Sequence, residues 1–204
     1  KLLSISDGYY LTGISGPNYY GGISGYWMAK IDSDFNILWQ NILGGTSGES
    51  PKAGCVAHDG GIITTGTTKS SDGDIELYFG NSDNWLVKLK PDGSKDWLKT
   101  YGNVWLEIGG YIIPTNEGGY AYACSGVDAE PGNIYCDDYD GSNYGGWLIK
   151  LDANGEKMWN ICYGGTENDT FKDIIQTDDG GFIVVGNSSS NDGDLNYHYG
   201  IPGV

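Results

Sequence analysis

Closely spaced carboxylates are the residues of this chain whose spacing could most directly support chemistry. The tripeptide Asp-Gly-Asp occurs twice, at Asp72 and Asp74 and again at Asp192 and Asp194. Carboxylate oxygens in a glycine-bent loop can bind Ca²⁺, although the spacing of an EF-hand loop is absent. The same tripeptide also forms ordinary Asx turns, and we favour this second interpretation. Calcium is therefore the one cofactor that the sequence leaves open.

Tyrosine and acidic residues are concentrated in four long segments, 15–25, 68–84, 125–146 and 188 onward. Long loops on one rim of a rigid scaffold are common binding sites. Tyrosine rings that stack on sugar faces, beside carboxylates that accept hydroxyl hydrogen bonds, would suit a glycan. The alternative is that these rings pack on each other or on a neighbouring subunit. The candidate ligand-binding residues are Tyr19, Tyr20, Tyr78, Phe79, Tyr135, Asp137, Tyr139, Tyr144, Tyr197 and His198.

Signals of catalysis are weak. The histidines, His58 and His198, have no serine or cysteine nucleophile motif to go with them. Acidic pairs that could hydrolyse glycosides are plentiful, but nothing singles out one pair. The Gly-Gly steps are expected to be turns rather than phosphate loops, because no helix follows them. We predict a protein that is not an enzyme and has no catalytic residues.

The four cysteines suggest one disulfide. Cys124 and Cys136 are close enough in sequence to close the longest loop in an oxidising compartment, and we predict that they are bonded. Cys55 and Cys162 fall in predicted strands of different repeats and are expected to be small buried residues. Two sequons, at Asn168 and Asn187, would be glycosylated only in a secreted chain.

The net charge of the chain limits the classes of partner that it could bind. The formal net charge is −16 over 204 residues, which argues against nucleic-acid binding because that needs clustered Lys and Arg. This acidity fits an extracellular protein or a cation-binding surface. No run of 18 apolar residues is present, so no membrane span is predicted. No signal peptide is present either, so it was removed, omitted or never part of this segment.

A repeated tryptophan hairpin is the main structural signal. The third copy contains Lys150, Trp159 and the turn dipeptide Asn154-Gly155, which predicts a type I′ two-residue loop. Counting outward from that loop places Lys150 opposite Trp159, with the lysine stem over the indole, where the ammonium can add a cation–π term. The same count pairs Lys30 with Trp39 and Lys88 with Trp97.

A second hairpin, marked by DGG or EGG, alternates with the first. The markers begin at Asp59, Glu117 and Asp179, and a shorter form begins at Asp7. Each unit then holds four antiparallel strands, named d, a, b and c in chain order. Four strands repeated about every 60 residues indicate an all-β, β-propeller-like fold with a long-period β-solenoid as the rival. We predict one repeat domain, 1–204, with units of about 1–52, 53–110, 111–172 and 173–204.

The predicted number of blades is too small to close a propeller. About three and a half blades are present, whereas a propeller needs at least four. We therefore expect either a segment of a larger propeller or neighbouring copies that supply the missing strands. Unpaired edge strands promote such association. The expected partners are thus another copy of the chain or the remainder of a longer one.

The composite pattern W-x-x-K-L-D, then Y-G-G-x-x-x-D, then D-G-G-[FY]-x-V-x-G resembles tandem repeats of large secreted proteins in Bacteroidota-type bacteria. Lys150 to Asp152, Tyr163 to Gly165 and Thr177 to Gly186 match it best, and the first repeat departs most, at Asp7 to Tyr9 and at the Asp34-Phe35 turn. The resemblance covers nearly the whole chain. It implies a secreted or surface propeller-like scaffold and no particular catalysis.

These observations favour a non-enzymatic extracellular scaffold or adhesion module, secreted or held at the cell surface. Two alternatives stay open. One is a subunit of an extracellular filament that assembles by strand completion between copies. The other is a glycan-binding rim or a glycan-active enzyme.

Overall fold

The computed structural model describes residues 1–16, 24–128, 131–136 and 143–194. All regular elements in these ranges are β-strands, as the sequence predicts. Within the same ranges, no helix is long and apolar enough to cross a membrane. The chain is therefore all-β over the part that the structure describes.

Within the described ranges, fourteen antiparallel strands form three four-stranded sheets and one two-stranded sheet, and each sheet is a simple meander. The connections between sheets are residues 44–48, 102–106 and 164–168, so each sheet begins a few residues before the predicted unit boundary. The first sheet contains β1 (Leu2–Ile5), β2 (Gly8–Ile14), β3 (Tyr26–Asp32) and β4 (Ile37–Leu43). The second contains β5 (Glu49–Val56), β6 (Ile62–Thr68), β7 (Asp83–Leu89) and β8 (Lys95–Tyr101). The third contains β9 (Glu107–Pro114), β10 (Tyr120–Val127), β11 (Tyr144–Leu151) and β12 (Lys157–Tyr163), and the fourth contains β13 (Asp169–Gln176) and β14 (Phe182–Ser188).

The cross-strand register of the tryptophan hairpins is confirmed. Lys30 is paired with Trp39, Lys88 with Trp97 and Lys150 with Trp159. The predicted turn type is wrong, however. In the third sheet Asp152 N donates to Glu156 O at 2.9 Å, and only Gly155 in this turn has a positive φ. The turn is thus a three-residue loop with a left-handed glycine, and a β-bulge after Lys150 restores the predicted pairing.

The lysine ammonium groups pair with turn acids rather than with the indoles. Lys30 Nζ lies 2.8 Å from Asp7 and Lys88 Nζ lies 2.7 Å from Asp59, and each acid is in the turn between the first two strands of the same sheet. Lys88 Nζ also lies 2.7 Å from Asp96 on β8. The cation–π prediction is wrong here, because the nearby carboxylate attracts the ammonium more strongly than a ring quadrupole does. Lys150 repeats the arrangement more loosely, 3.9 Å from Glu117.

Consecutive sheets pack face to face. We call the face of a sheet toward the preceding sheet its front face and the opposite one its rear face. Tyr10, Tyr26 and Met28 on the rear of the first sheet pack in one core with Trp85 and Val87 on the front of the second. A second core joins the rear of the second sheet to the front of the third, and a third core continues to the fourth sheet. Burial of these apolar side chains holds neighbouring sheets together.

A tryptophan on the rear face of one sheet contacts the β-turn of the next sheet. Trp39 Nε1 donates to Pro91 O at 2.9 Å, and Trp97 Nε1 donates to Ala153 O at 3.1 Å. Gly93 and Gly155 let the turn approach, since an added Cβ would lie 2.7 Å from the Trp39 ring and 3.0 Å from the Trp97 ring. The hairpin tryptophans therefore join sheets as well as strands.

The predicted disulfide between Cys124 and Cys136 is wrong. Cys136 is bonded to Cys162 on β12, with a Cα–Cα distance of 5.6 Å, and Cys124 and Cys55 are buried free thiols. Cys136 belongs to the loop after β10, which folds back over the third sheet, where Asn160 Nδ2 donates to Tyr135 O at 2.7 Å. That contact brings the loop cysteine to β12, and sequence proximity to Cys124 does not decide the pairing.

Candidate functional site: the loop rim

The candidate site is the rim formed by two kinds of connection at the same ends of the strands. The loops after β2, β6, β10 and β14 and the connections between sheets emerge there, because strands in a meander alternate in direction. We call this region the loop rim. Tyr19, Tyr20, Asp137, Tyr139, Tyr197 and His198 lie outside the described residues, so their predicted roles stay predictions.

The Asp-Gly-Asp tripeptides tie two of the rim loops, those after β6 and β14, to the connection before the same sheet. Asp72 accepts hydrogen bonds from Thr46 N at 2.7 Å and from Thr46 Oγ1 at 2.7 Å, and Asp74 accepts one from Gly44 N at 3.0 Å. The hydrogen bonds from the Thr46 hydroxyl and then from the Thr46 amide hold the Asp72 pKa below its ordinary value. The Asx turn favoured from sequence does not describe these contacts, because the carboxylates accept hydrogen bonds from residues 26 and 30 positions earlier in the chain.

The second tripeptide repeats the same contacts. Asp192 accepts from Thr166 N at 2.8 Å and from Thr166 Oγ1 at 2.9 Å, and Asp194 accepts from Gly164 N at 3.2 Å. Over the described residues, no group of three or more His, Cys, Asp or Glu side chains could hold a metal ion. The calcium interpretation therefore gains no support from the tripeptides.

A buried acidic residue begins the first strand of three sheets, and it was not singled out from sequence. Glu49 accepts hydrogen bonds from Thr68 at 3.0 Å and from Ser70 at 2.5 Å. Asp169 stands at the equivalent position and accepts one from Ser190 at 2.7 Å. The last position of Y-G-G-x-x-x-D marks Asp169 in the sequence, so a signal was present.

The third acidic residue, Glu107, faces a second carboxyl group instead of hydroxyl groups. Its strand partner is Gly126, where Glu49 has Thr68. An added Cβ at Gly102 would lie 2.1 Å from Asp83 Oδ1 and 2.8 Å from Glu107 Oε2, so the two carboxyl groups converge on one point. Both residues are buried, at 0% and 4% exposure.

Burial sets the protonation of this carboxyl pair. It raises the pKa of Asp83 to about 6 and, with the nearby Asp83 charge, raises the pKa of Glu107 to about 10. At neutral pH, Glu107 is a neutral acid beside an ionised Asp83. Such a pair can hold one proton between its oxygens, which joins the second and third sheets, and it is closed to an external substrate.

The candidate tyrosines do not form one constellation. Tyr78 is half-buried against the core between the first two sheets, and Phe79 N donates to Asp83 Oδ2 at 2.8 Å. Tyr135 is exposed with Lys157 Nζ 6.0 Å from its ring centre, and Tyr144 lies in β11. Packing against the protein itself, the alternative to a glycan site, describes Tyr78.

The exposed part of the rim is apolar between the second and third sheets. Trp105 is 53% exposed, and it is the only tryptophan of the chain outside the repeated hairpins. Its position outside the repeat was a signal that the sequence analysis missed. The sequon residues Asn168 and Asn187 are both exposed, and their glycosylation stays a prediction.

No family model and no curated protein matches the chain.

Proposed function

We propose that this chain is a non-enzymatic extracellular scaffold and adhesion module. The proposal rests on the observation that the rim carboxylates bind other parts of the same chain. In both Asp-Gly-Asp loops the carboxylate oxygens accept hydrogen bonds from the connection before the sheet. Side chains committed to fixing loops favour a rigid support over a reactive site.

A propeller-like arrangement of blades is part of this proposal. The first strands of all four sheets contribute to one cleft of about 410 Å³, through residues that include Leu3, Cys55, Ile112 and Asp173. Inner strands that gather around one central space are the arrangement expected of blades about an axis. The three and a half blades would then present the loop rim on one side.

An extracellular location has separate support. The Cys136–Cys162 disulfide ties a rim loop to β12, and disulfides persist in oxidising compartments. The resemblance to repeats of secreted surface proteins points to the same location. The apolar rim surface around Trp105 is a suitable contact for another macromolecule.

Two measurements on the purified chain test the proposal. We expect the Asp72→Asn and Asp192→Asn variants to lower the melting temperature, because each weakens a loop tie. We also expect a glycan array and a panel of glycoside substrates to show no saturable binding and no turnover. Saturable glycan binding that the Tyr135→Ala variant abolishes would support the glycan-binding alternative and overturn this one.

A further inference from the structure

The rear face of the fourth sheet is exposed, whereas the equivalent rear faces of the first three sheets are each covered by the next sheet. The strand register makes Ile183 the equivalent of Tyr10, Ile63 and Ala121, each opposite the same position of the preceding strand. Those three residues are 0% exposed, whereas Ile183 is 51% exposed. Val185 and Ile175 on the same face are each 55% exposed.

The front face of the first sheet is the matching uncovered half. By the same register, Leu2 is equivalent to Ile112 and Ile174. These two are 4% and 2% exposed, whereas Leu2 is 55% exposed. Trp27 follows the same rule: its equivalents Trp85 and Trp147 are fully buried against the preceding sheet, and Trp27 is only half-buried.

Inside the chain, a front face always covers a rear face. Ile112 packs with Ile63, and Ile174 packs with Ala121 and Ala123. The residues that meet at these junctions are the equivalents of Leu2 on one side and of Ile183 and Val185 on the other. The chain therefore carries both halves of an interface that it forms internally between successive sheets.

We propose that a second copy of this chain docks head to tail, with the front face of its first sheet on the rear face of the fourth sheet. The proposal deepens the proposed scaffold function, on which it rests, by naming the partner of the module. The contact joins two different surfaces, so it propagates into a filament or closes into a ring according to the rotation between copies.

Two single substitutions separate the halves of this interface. Leu2→Asp places a charge on the front face, and Ile183→Asp places one on the rear face; both sites are exposed, so the fold is expected to survive. We expect wild type to associate with rising concentration in sedimentation velocity, and each variant alone to be a monomer. Mixing the two variants leaves one intact interface and should give a 1:1 heterodimer that grows no further.

Leu77→Asp is the matched control, because Leu77 is 56% exposed but lies in a rim loop away from both faces. It should associate as wild type does. A wild type that stays monomeric through the high micromolar range, or a mixture that gives no heterodimer, overturns the docking proposal. Neither result depends on the glycan array or the melting temperatures, so the scaffold proposal stands or fails separately.

Discussion

At the residue scale, the Asp83 and Glu107 carboxyl groups govern how the junction between the second and third sheets responds to pH. At the equivalent positions of the second and fourth sheets, Glu49 and Asp169 instead accept hydrogen bonds from hydroxyl groups in the rim loop of the same sheet, those of Ser70 and Ser190. Here Gly126 stands where a hydroxyl would be, and the second carboxyl takes that place. A second carboxyl group, which titrates, has therefore replaced hydroxyl groups, which do not.

We predict that Glu107→Gln changes the pH dependence of stability. The pKa of Glu107 is raised from 4.5 to about 10, so between these pH values the folded chain keeps a proton that the unfolded chain has released. The free energy of unfolding must then fall as pH rises, by up to about 1.4 kcal/mol per pH unit for one proton. Glutamine keeps a donor for Asp83 and does not titrate. The free energy of unfolding of the variant, relative to that of wild type, should therefore increase as pH rises from 5 to about 9.

Urea unfolding at a series of pH values measures this difference. Glu76→Gln is the control, because Glu76 is an exposed carboxyl in a rim loop and its removal should leave the profile parallel to that of wild type. If the Glu107→Gln profile is also parallel to wild type, the buried proton does not exist.

Residue chemistry was only partly accessible from sequence. The recurrence of the Asp-Gly-Asp tripeptide at equivalent loop positions followed from the sequence, although its carboxylates accept hydrogen bonds from Thr46 and Thr166, 26 residues away, and not those of an Asx turn. The buried acids and the Cys136–Cys162 bond did not, because Glu107 meets Asp83 across two sheets and Cys136 reaches β12 only after its loop has folded back. Contacts of that kind depend on how sheets stack, which no local pattern reports.

At the element scale, the turn between the third and fourth strands of the second and third sheets has to accept a tryptophan as well as reverse the chain. Gly93 and Gly155 have φ values of 84° and 75°, and each lies against the ring from the preceding sheet. Phe35 occupies the same position in the first sheet at φ 65°, is 71% exposed and stacks on Tyr9. A bulky residue at this point is compatible with a first-sheet turn that meets no tryptophan within the chain.

We predict that Gly93→Ala destabilises the chain more than Gly118→Ala. Both glycines have a positive φ, 84° and 86°, so both substitutions lose about 1 to 2 kcal/mol from backbone strain. At Gly118 an added Cβ meets nothing within 4 Å, whereas at Gly93 it lies 2.7 Å from the Trp39 ring. Displacing that ring should add about 1 to 3 kcal/mol.

Chemical denaturation of the two variants gives the comparison directly. Equal losses of unfolding free energy would mean that Trp39 adapts without cost and that the turn does not hold the neighbouring sheet. The Trp39 Nε1 hydrogen bond to Pro91 O should be lost in Gly93→Ala alone.

The elements themselves were largely predictable. Alternating hairpins gave the strand order and the lysine–tryptophan register, because turn dipeptides and aromatic pairs act over a few residues. The turn type was not predictable, since Asn154-Gly155 suits both a two-residue loop and a three-residue loop with a bulge. The β-bulge after Lys150 compensates for the longer loop, so Lys150 is opposite Trp159 with either turn.

At the scale of the whole molecule, sheets that contact mainly their neighbours should differ in local stability. Strands β6, β7, β10 and β11 are buried along nearly their whole length, whereas β14 is mostly exposed. In a chain of stacked units, stability is a sum of unit and nearest-neighbour terms, so a unit covered on one face only is the weaker.

We predict that amide hydrogen exchange of the monomeric Ile183→Asp variant follows this order. Amides of β6, β7, β10 and β11 should exchange slowest, and those of β1, β13 and β14 fastest, as followed by mass spectrometry of peptides. Leu77→Asp examined under the same conditions should protect β13 and β14 more if copies cover that face. Uniform exchange across all four sheets would contradict nearest-neighbour coupling.

The tryptophan-to-turn contacts also set an order in time. Trp39 is translated about 50 residues before the turn at Pro91 that receives it, and Trp97 bears the same relation to Ala153. During synthesis, each new sheet thus covers the apolar face of the sheet before it. At most one such face is exposed to solvent at a time. A nascent chain of this kind can fold from its amino end as it emerges, with little surface open to misassembly.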